Sequence, residues 1–180
     1  ANRVHALALG VGGQRYTDRY AAATAALRRA EPAYRAAESA SQQLAEKNYR
    51  QALADSDRAV ELLPAQQQFW LLRAAIWRGL DEPNKAEQAL TTAIGKNRDY
   101  FLPHLQRAAL RWQRGDRRAA ADDYRASYSR LKTGQAAYFI GMAALDAGDI
   151  ASADSYFASA VQLGGEYAQL AAAERQKLRS

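Results

Sequence analysis

Cysteine is absent from this sequence, which excludes disulfide bonds, cysteine nucleophiles and thiolate metal sites. Long hydrophobic runs are absent as well, since no stretch approaches the roughly 18 apolar residues that a membrane-spanning helix needs. Strand signals are nearly absent. With 48% hydrophobic and 24% charged residues, the chain is that of a folded protein and not of a disordered one.

Methionine and lysine are scarce. The single methionine is Met142 and the sequence begins with Ala1, so we expect that a signal peptide has been removed or that this is a piece of a longer chain. Only five of the 25 basic residues are lysine. This arginine bias, together with abundant alanine, is typical of GC-rich bacterial genomes. We expect a bacterial protein, in the periplasm or cell envelope rather than the cytoplasm.

The residues of common catalytic and metal sites do not occur in the required arrangement. His5 and His104 are far apart, and neither lies in an H-E-x-x-H spacing. The Gly10–Gly13 stretch lacks the Gly-Lys-Ser/Thr of a phosphate loop, and there is no Gly-x-Ser-x-Gly elbow. We expect His104 to pack between helices, and Asp122 and Asp123 to lie on a solvated helix face. The sequence therefore predicts a non-catalytic chain with no cofactor and no metal.

What the sequence does contain is helical periodicity, interrupted by short polar turns. It predicts four helix pairs and a last helix, over about 33–46 and 48–62, 67–79 and 82–95, 101–114 and 116–130, 134–146 and 149–162, and 166–178. Pro64 is expected to end the first pair, and Pro83 suits a first helical turn. In the Gly-Asp pairs at 115–116 and 148–149, glycine is expected to close one helix in the left-handed conformation and aspartate to cap the next.

The first 32 residues are less regular and show no repeat. They predict a short helix over Asn2–Leu9 and a break at Gly10–Gly13. A second helix is predicted from a cap at Thr17 or Asp18 to about Ala30. We interpret residues 1–32 as an N-terminal helical cap or as the tail of a missing domain.

Small residues recur along the four pairs with a period of 34, shortened to 33 before the last pair. They are Ala40, Ala52 and Ala59, then Ala74, Ala86 and Ala93, then Ala108, Ala120 and Ser127, then Gly141, Ala153 and Ala160. A fixed period of this length marks a repeat array. Small side chains are needed where two helices approach closely, because a larger one would overpack the contact at a cost of about 1–3 kcal/mol.

These residues resemble the tetratricopeptide repeat (TPR), a 34-residue helix pair with small residues at positions 8, 20 and 27. Large apolar residues are expected at positions 4, 7, 11, 17 and 24, and Trp70, Trp77 and Leu90 occupy three of these in the second pair. The resemblance implies an all-α, right-handed solenoid with extra helices at both ends. Its repeats would span 33–66, 67–100, 101–133 and 134–163, followed by a capping helix in 164–180.

Position 7 departs from the TPR pattern, because it holds Arg73 in the second repeat and Arg107 in the third. We expect both side chains to lay their aliphatic stems along the groove and keep their charged heads in water.

The resemblance implies that the first helix of each pair lines a concave face. The candidate partner-binding residues on it are Leu71, Arg78, Leu102, Leu105, Trp112, Tyr138, Met142 and Leu145. They predict a largely apolar strip, which is typical of a contact site for a protein or peptide. We predict a non-catalytic scaffold that binds a hydrophobic or helical segment, with Arg78 taking an acidic group. The Lys and Asn of the family's carboxylate clamp are absent.

Three alternatives stay open. The last helix or the N-terminal segment could fold back and fill this groove. The residues from Gly148-Asp149 to Gly164–Gln169 resemble the C-terminal TPR region of bacterial envelope zinc metallopeptidases, in which the array would position substrate or regulate its own catalytic domain. Residues 107–132 hold eight basic and three acidic residues, a net charge of +5, which could bind an anionic polymer. Without a base-reading motif, we expect nucleic acid not to be the partner and this run to form intrahelical pairs such as Asp122 with Arg125 or Arg118.

Overall fold

The computed structural model describes the backbone of residues 13–179 and the side chains of 18–28 and 30–179. The described residues are helical, without strands, in the order α1 (Gly13–Ala45), α2 (Tyr49–Leu62), α3 (Gln67–Gly79), α4 (Pro83–Lys96), α5 (Phe101–Gln113), α6 (Arg117–Arg130), α7 (Gly134–Asp146), α8 (Ile150–Leu163) and α9 (Glu166–Arg179). From α2 onward, each bound lies within one residue of its prediction. In the described part of the chain, no helix combines the length and apolarity needed to cross a bilayer.

The N-terminal prediction is only partly testable and partly wrong. The helix predicted over Asn2–Leu9 lies outside the described residues. The helix expected to be capped at Thr17 or Asp18 and to end near Ala30 is instead part of α1, which runs from Gly13 to Ala45 with Pro32 inside it. Proline removes one backbone hydrogen bond, but the alanine-rich segments on either side are strong helix formers. The helix therefore continues through the proline.

The turn chemistry is confirmed at both glycines and at one of the two aspartates. Gly115 and Gly148 adopt the left-handed conformation, with φ of 82° and 76°. The Asp149 side chain accepts a hydrogen bond from the backbone N–H of Ser152 at 3.0 Å and so caps α8. Asp116 precedes α6 in the same way but accepts no side-chain capping hydrogen bond. Equal sequence therefore gives equal backbone turns with different capping.

The chain divides into two compact units, residues 1–80 and 81–180. In the first unit α2 packs against α1 and α3, and α1 also contacts α3. Alanines dominate the core of this unit, and its bulky buried members are Val60, Phe69 and Ile76. The helices can pack this closely because most of the buried side chains are methyl groups.

In the second unit each helix packs against the next one in the chain, from α4 to α9, and α9 also contacts α7. The core of this unit contains larger side chains. Leu90, Tyr124, Ile140 and Phe157 are fully or almost fully buried, one on each of α4, α6, α7 and α8. Tyr124 of the third pair and Ile140 of the fourth belong to one buried cluster, and Phe157 packs with Ala171 of α9 in another.

The small-residue positions are buried throughout both units. Eleven of the twelve have no exposed surface, and Gly141, the twelfth, is also buried. A Cβ atom added to Gly141 would lie 2.7 and 2.8 Å from two ring carbons of Phe157. The predicted steric reason for these residues is therefore confirmed: neighbouring helices occupy the space that a larger side chain would need.

Gly141→Ala should destabilise the protein by about 1 kcal/mol. Overpacking against the Phe157 ring costs about 1–3 kcal/mol, and the better helix propensity of alanine offsets about 0.5–1 kcal/mol of this. Urea unfolding followed by circular dichroism measures the change.

Gly95→Ala is the matched control, because Gly95 lies in helix α4 and has no atom within 4 Å of an added Cβ. It should leave stability unchanged or raise it by up to about 1 kcal/mol. A Gly141→Ala protein as stable as Gly95→Ala would contradict the steric explanation.

Candidate functional site

The eight residues predicted to face a partner are divided between the two units. Leu71 and Arg78 lie on α3 in the first unit, and the other six lie on α5 and α7 in the second. Leu71 is half-buried. Arg78 is exposed on the last turn of α3 and forms no ion pair with a described residue. Its role as the acceptor of an acidic group stays a prediction.

The six predicted residues of the second unit form a half-buried surface and not an open strip. All are partly accessible: Leu102, Leu105, Trp112, Tyr138, Met142 and Leu145. None of them is among the exposed large hydrophobic side chains of the described residues. Leu105 and Trp112 pack against the buried cluster that contains Ala108, Tyr124 and Ile140. Each of these side chains therefore gives part of its surface to the core and leaves part for a partner.

Phe139, which the sequence reasoning missed, is the centre of an aromatic cluster in the second unit. Its ring stacks on Tyr124 with centroids 4.8 Å apart and an interplanar angle of 10°. It also contacts Trp112 at 4.9 Å, Tyr138 at 5.2 Å and Tyr167 at 5.6 Å. One side chain of α7 thus touches rings from α5, α6 and α9. The cluster fixes the positions of Trp112 and Tyr138, two of the predicted anchors.

Helix α9 covers part of the predicted surface. Tyr167 contacts Tyr138 with ring centroids 5.6 Å apart. Leu178 packs against the same buried cluster as Tyr138 and Met142. A bidentate ion pair between Arg175 and Asp154, with N–O distances of 2.6 and 3.1 Å, joins α9 to α8. The last helix therefore covers part of the predicted surface on α7, as one of the alternatives expected. These contacts do not involve Leu102, Leu105 and Trp112, which lie on α5.

Trp112 is held from two sides. The Arg117 guanidinium carbon lies 3.9 Å from the ring centroid, a cation–π contact across the turn between α5 and α6. The Phe139 ring also contacts the indole, with ring centroids 4.9 Å apart. The indole is therefore a preformed feature of this surface, with little rotamer freedom left to lose on binding.

Behind this surface, a buried carboxylate holds α5 on α6. Asp123 on α6 is only 4% exposed. Arg107 donates two hydrogen bonds to it, from Nε at 2.8 Å and from a terminal nitrogen at 2.6 Å, and Arg111 donates a third at 2.9 Å. Two predictions are therefore wrong: Asp123 is not on a solvated face, and the Arg107 head is not in water. Burial of the carboxylate requires both guanidinium groups, because an unpaired buried charge is costly.

The same network extends to α4. Glu87 accepts hydrogen bonds from Arg111 at 2.8 Å and from Arg114 at 2.7 Å, and Arg107 donates to the Thr91 hydroxyl at 2.9 Å. Glu87 and Thr91 belong to the second predicted repeat, and the arginines to the third. Charged and polar contacts thus link successive helix pairs where the TPR pattern expects apolar contact.

The first unit uses related contacts. Ser39 donates to Asp55 at 2.6 Å, and these two positions correspond to Arg107 and Asp123 in the third repeat. Arg73 lies 2.7 Å from a carboxylate oxygen of Asp57. The Arg73 side chain keeps 26% of its surface exposed, so the expected position of its head in water stays a prediction. A carboxylate 16 residues after position 7 is the sequence signal that identifies the Ser39 and Arg107 contacts.

His104 packs between helices as predicted, 7% exposed on α5. Its Nε2 lies 3.4 Å from the Arg98 carbonyl oxygen, and its Nδ1 lies 3.8 Å from Asp123 without a hydrogen bond. Burial lowers the pKa of His104, and the Arg130 and Arg107 charges lower it further against the opposing effects of the Arg98 carbonyl and Asp123. The imidazole is thus a neutral packing group beside the network. Among the described residues, no group of three His, Asp or Glu side chains is placed to hold a metal ion.

Solved structures share this arrangement of helices. The crystal structure of MamA matches 96% of this chain and 99% of its own, with a TM-score of 0.66 and 18% identity. PilF of Pseudomonas aeruginosa matches 83% of this chain and 68% of its own, with a TM-score of 0.67 and 16% identity. The first TPR of Spaghetti (RPAP3), solved with the HSP90 peptide SRMEEVD, matches 66% and 95%, with a TM-score of 0.61 and 18% identity.

The chain has a tetratricopeptide-repeat fold. No protein-family model and no curated protein sequence matches it. The predicted all-α, TPR-like class is therefore confirmed by the buried small-residue skeleton and by these structures. At identities below 25%, the likeness establishes the TPR fold and not the partner.

Asp123→Asn should destabilise the TPR array by about 2–3 kcal/mol, because Asp123 is the one carboxylate among the described residues that pairs with Arg107, whereas Arg111 keeps Glu87. Chemical denaturation at neutral pH measures the loss. Asp122→Asn is the matched control, since this neighbouring carboxylate is 70% exposed and its one ion pair within the described part of the chain is with Arg125 at 3.2 Å. It should change stability by less than about 0.5 kcal/mol. Equal effects of the two substitutions would refute the role of Asp123.

The stability of the protein should fall on acidification, in part through His104. Its pKa in the folded state lies below the ordinary value of 6.5, so the unfolded chain binds more protons and stability decreases as pH falls below about 6.5. His104→Gln should therefore lose less stability than the wild type between about pH 7 and about pH 5. Denaturation curves at both pH values measure this difference, and identical losses would contradict the expectation.

Proposed function

We propose that this chain is a non-catalytic scaffold that binds a hydrophobic or helical segment of a partner protein in its predicted groove, on the face of α5 that carries Leu102, Leu105 and Trp112. The observation that carries the proposal is the contrast between the two faces of this helix. Leu102, Leu105 and Trp112 are half-buried apolar residues on one face. Arg107 and Arg111 anchor the other face to Asp123.

This contrast supports binding for a physical reason. Half-exposed apolar side chains are common at protein contact sites, and aromatic residues dominate their energetics. A helix whose other face is fixed by ion pairs loses little freedom when a partner docks. The RPAP3 domain, which shares the TPR fold, was solved with a bound peptide. A segment with apolar residues at helical spacing suits the Leu102–Trp112 face.

The other predicted roles remain proposals. Arg78 is available on the first unit for an acidic group of the partner. A location in the bacterial envelope rests on the arginine and alanine bias together with the sequence resemblance of the last pair. Attachment to the catalytic domain of a zinc metallopeptidase rests on that resemblance. The half-buried face of α5 is compatible with a partner domain on the same chain or on a separate one.

Site-specific photo-crosslinking tests the α5 face. A photoreactive amino acid at Ala109, which is half-buried beside Leu105 and Trp112, should crosslink the partner in lysate of the source organism. The same amino acid at Ser155, exposed on α8, is the control. After the partner is identified by mass spectrometry, Ala109→Glu should weaken its binding at least about tenfold, because it places a charge in an apolar contact. Ser155→Glu should leave binding unchanged. Equal crosslinking from both positions would refute the proposal.

A further inference from the structure

We propose that a pocket on the second unit, lined by Arg117, Arg118 and Arg125, binds a carboxylate-rich segment of a partner protein. This arginine pocket has a volume of about 280 Å³ and lies between α6 and the end of α7. None of the eight predicted groove residues lines it. It is therefore a second surface, which adjoins the Leu102–Trp112 face of α5 at the contact between Arg117 and Trp112.

The structure divides the basic run of residues 107–132 into two sets. Arg107, Arg111 and Arg114 are used internally, on Asp123 and Glu87. Their charges are largely neutralised, and they hold α5 in place. The arginines of the pocket are not part of that network, and they are three of the five basic residues of the run that lie outside it.

The charges inside the arginine pocket are available to a ligand. Arg118 forms no ion pair or hydrogen bond with a described residue. Arg117 is held over the Trp112 ring, a contact that uses the flat face of the guanidinium group and leaves its N–H edges for an acceptor. Arg125 has a single ion pair, at 3.2 Å to the exposed Asp122, which is weak in water. Three arginines and a single acidic residue, Asp146, therefore line the pocket.

The shape of the pocket favours a carboxylate side chain. Its volume admits one or two side chains. The remaining lining residues are Ala121, Ala143 and Ala147, which add apolar surface for the methylene groups of a glutamate. The guanidinium fork matches a carboxylate with two parallel hydrogen bonds. Glutamate therefore suits both the alanines and the arginines of the lining.

A protein segment fits this surface better than nucleic acid. A phosphate backbone needs a row of unpaired cations along its path. Here Arg130 donates to the carbonyl oxygens of Arg98 and Ala126, and the arginines of α5 are paired, so the row is interrupted. The Asp146 carboxylate can accept a hydrogen bond from a peptide N–H of the bound segment. The run thus offers one local site and not a track.

This inference rests on the proposed scaffold function and adds a contact with different chemistry. The two fail separately. If crosslinking at Ala109 succeeds and the peptide experiment below fails, the scaffold role stands and the arginine pocket is refuted. If peptide binding succeeds and crosslinking fails, the contact surface is the pocket and not α5.

Fluorescence anisotropy with a labelled hexaglutamate peptide tests the arginine pocket on the full chain. At about 50 mM salt, where exposed charges are weakly screened, hexaglutamate should bind and hexaglutamine should not. Arg118→Gln should weaken binding at least about fivefold, the loss expected for one charge-assisted hydrogen bond. Ala147→Leu should weaken it similarly, because it narrows the pocket without changing the charge. Both positions are exposed, so the fold should be retained.

Arg58→Gln is the matched control, since it removes the same charge from an exposed position on α2 in the first unit. It should change affinity by less than about twofold. Equal losses with Arg58→Gln and Arg118→Gln would show attraction by net charge alone and overturn the proposal. Absence of hexaglutamate binding, or tighter binding of an oligothymidylate of equal charge, would overturn it too.

Discussion

The close approach of helices at the small-residue positions is the constraint on which both units depend. Where two backbones come this near, the side chain between them can be no larger than alanine or serine, and at Gly141 the Phe157 ring leaves no space even for a methyl group. This constraint fixes which face of each helix is inside. It therefore also decides which positions remain for charge, for aromatic packing and for a partner.

In the third repeat, two of the positions that this constraint leaves open are occupied by charged residues. Position 7 and position 11 hold Arg107 and Arg111, and the aliphatic part of each side chain packs while the guanidinium group meets Asp123. The contact is directional, whereas apolar packing is not. It fixes the rotation of α5 about its axis. Because Leu102 and Leu105 lie on the same helix, the ion pairs also set how these side chains are presented.

The sequence predicted the helices, the turns and the small-residue skeleton, because each depends on local chemistry repeated at a fixed period. It did not predict contacts that depend on how far a long side chain reaches. Arg107 by itself does not show whether its head lies in water or on Asp123, and the spacing of 16 residues to a carboxylate gains meaning only once the contact is known. Phe139 lies between the predicted groove residue Tyr138 and Ile140, a large position of the repeat. It becomes the centre of the aromatic cluster because rings from three other helices contact it. The continuity of α1 through Pro32 likewise depends on the helix-forming residues on either side, whereas the prediction considered the proline alone.

Repeats of a solenoid are often treated as interchangeable modules, since each contacts only its neighbours. In this chain the second and third repeats are not interchangeable, because Arg111 and Arg114 of the third repeat donate hydrogen bonds to Glu87 of the second. A duplicated or transplanted third repeat would face a neighbour without that glutamate and would have uncompensated arginines at the new junction. The order of the repeats is therefore encoded in charge, and consensus redesign of this array would have to treat residues 83–130 as one indivisible block.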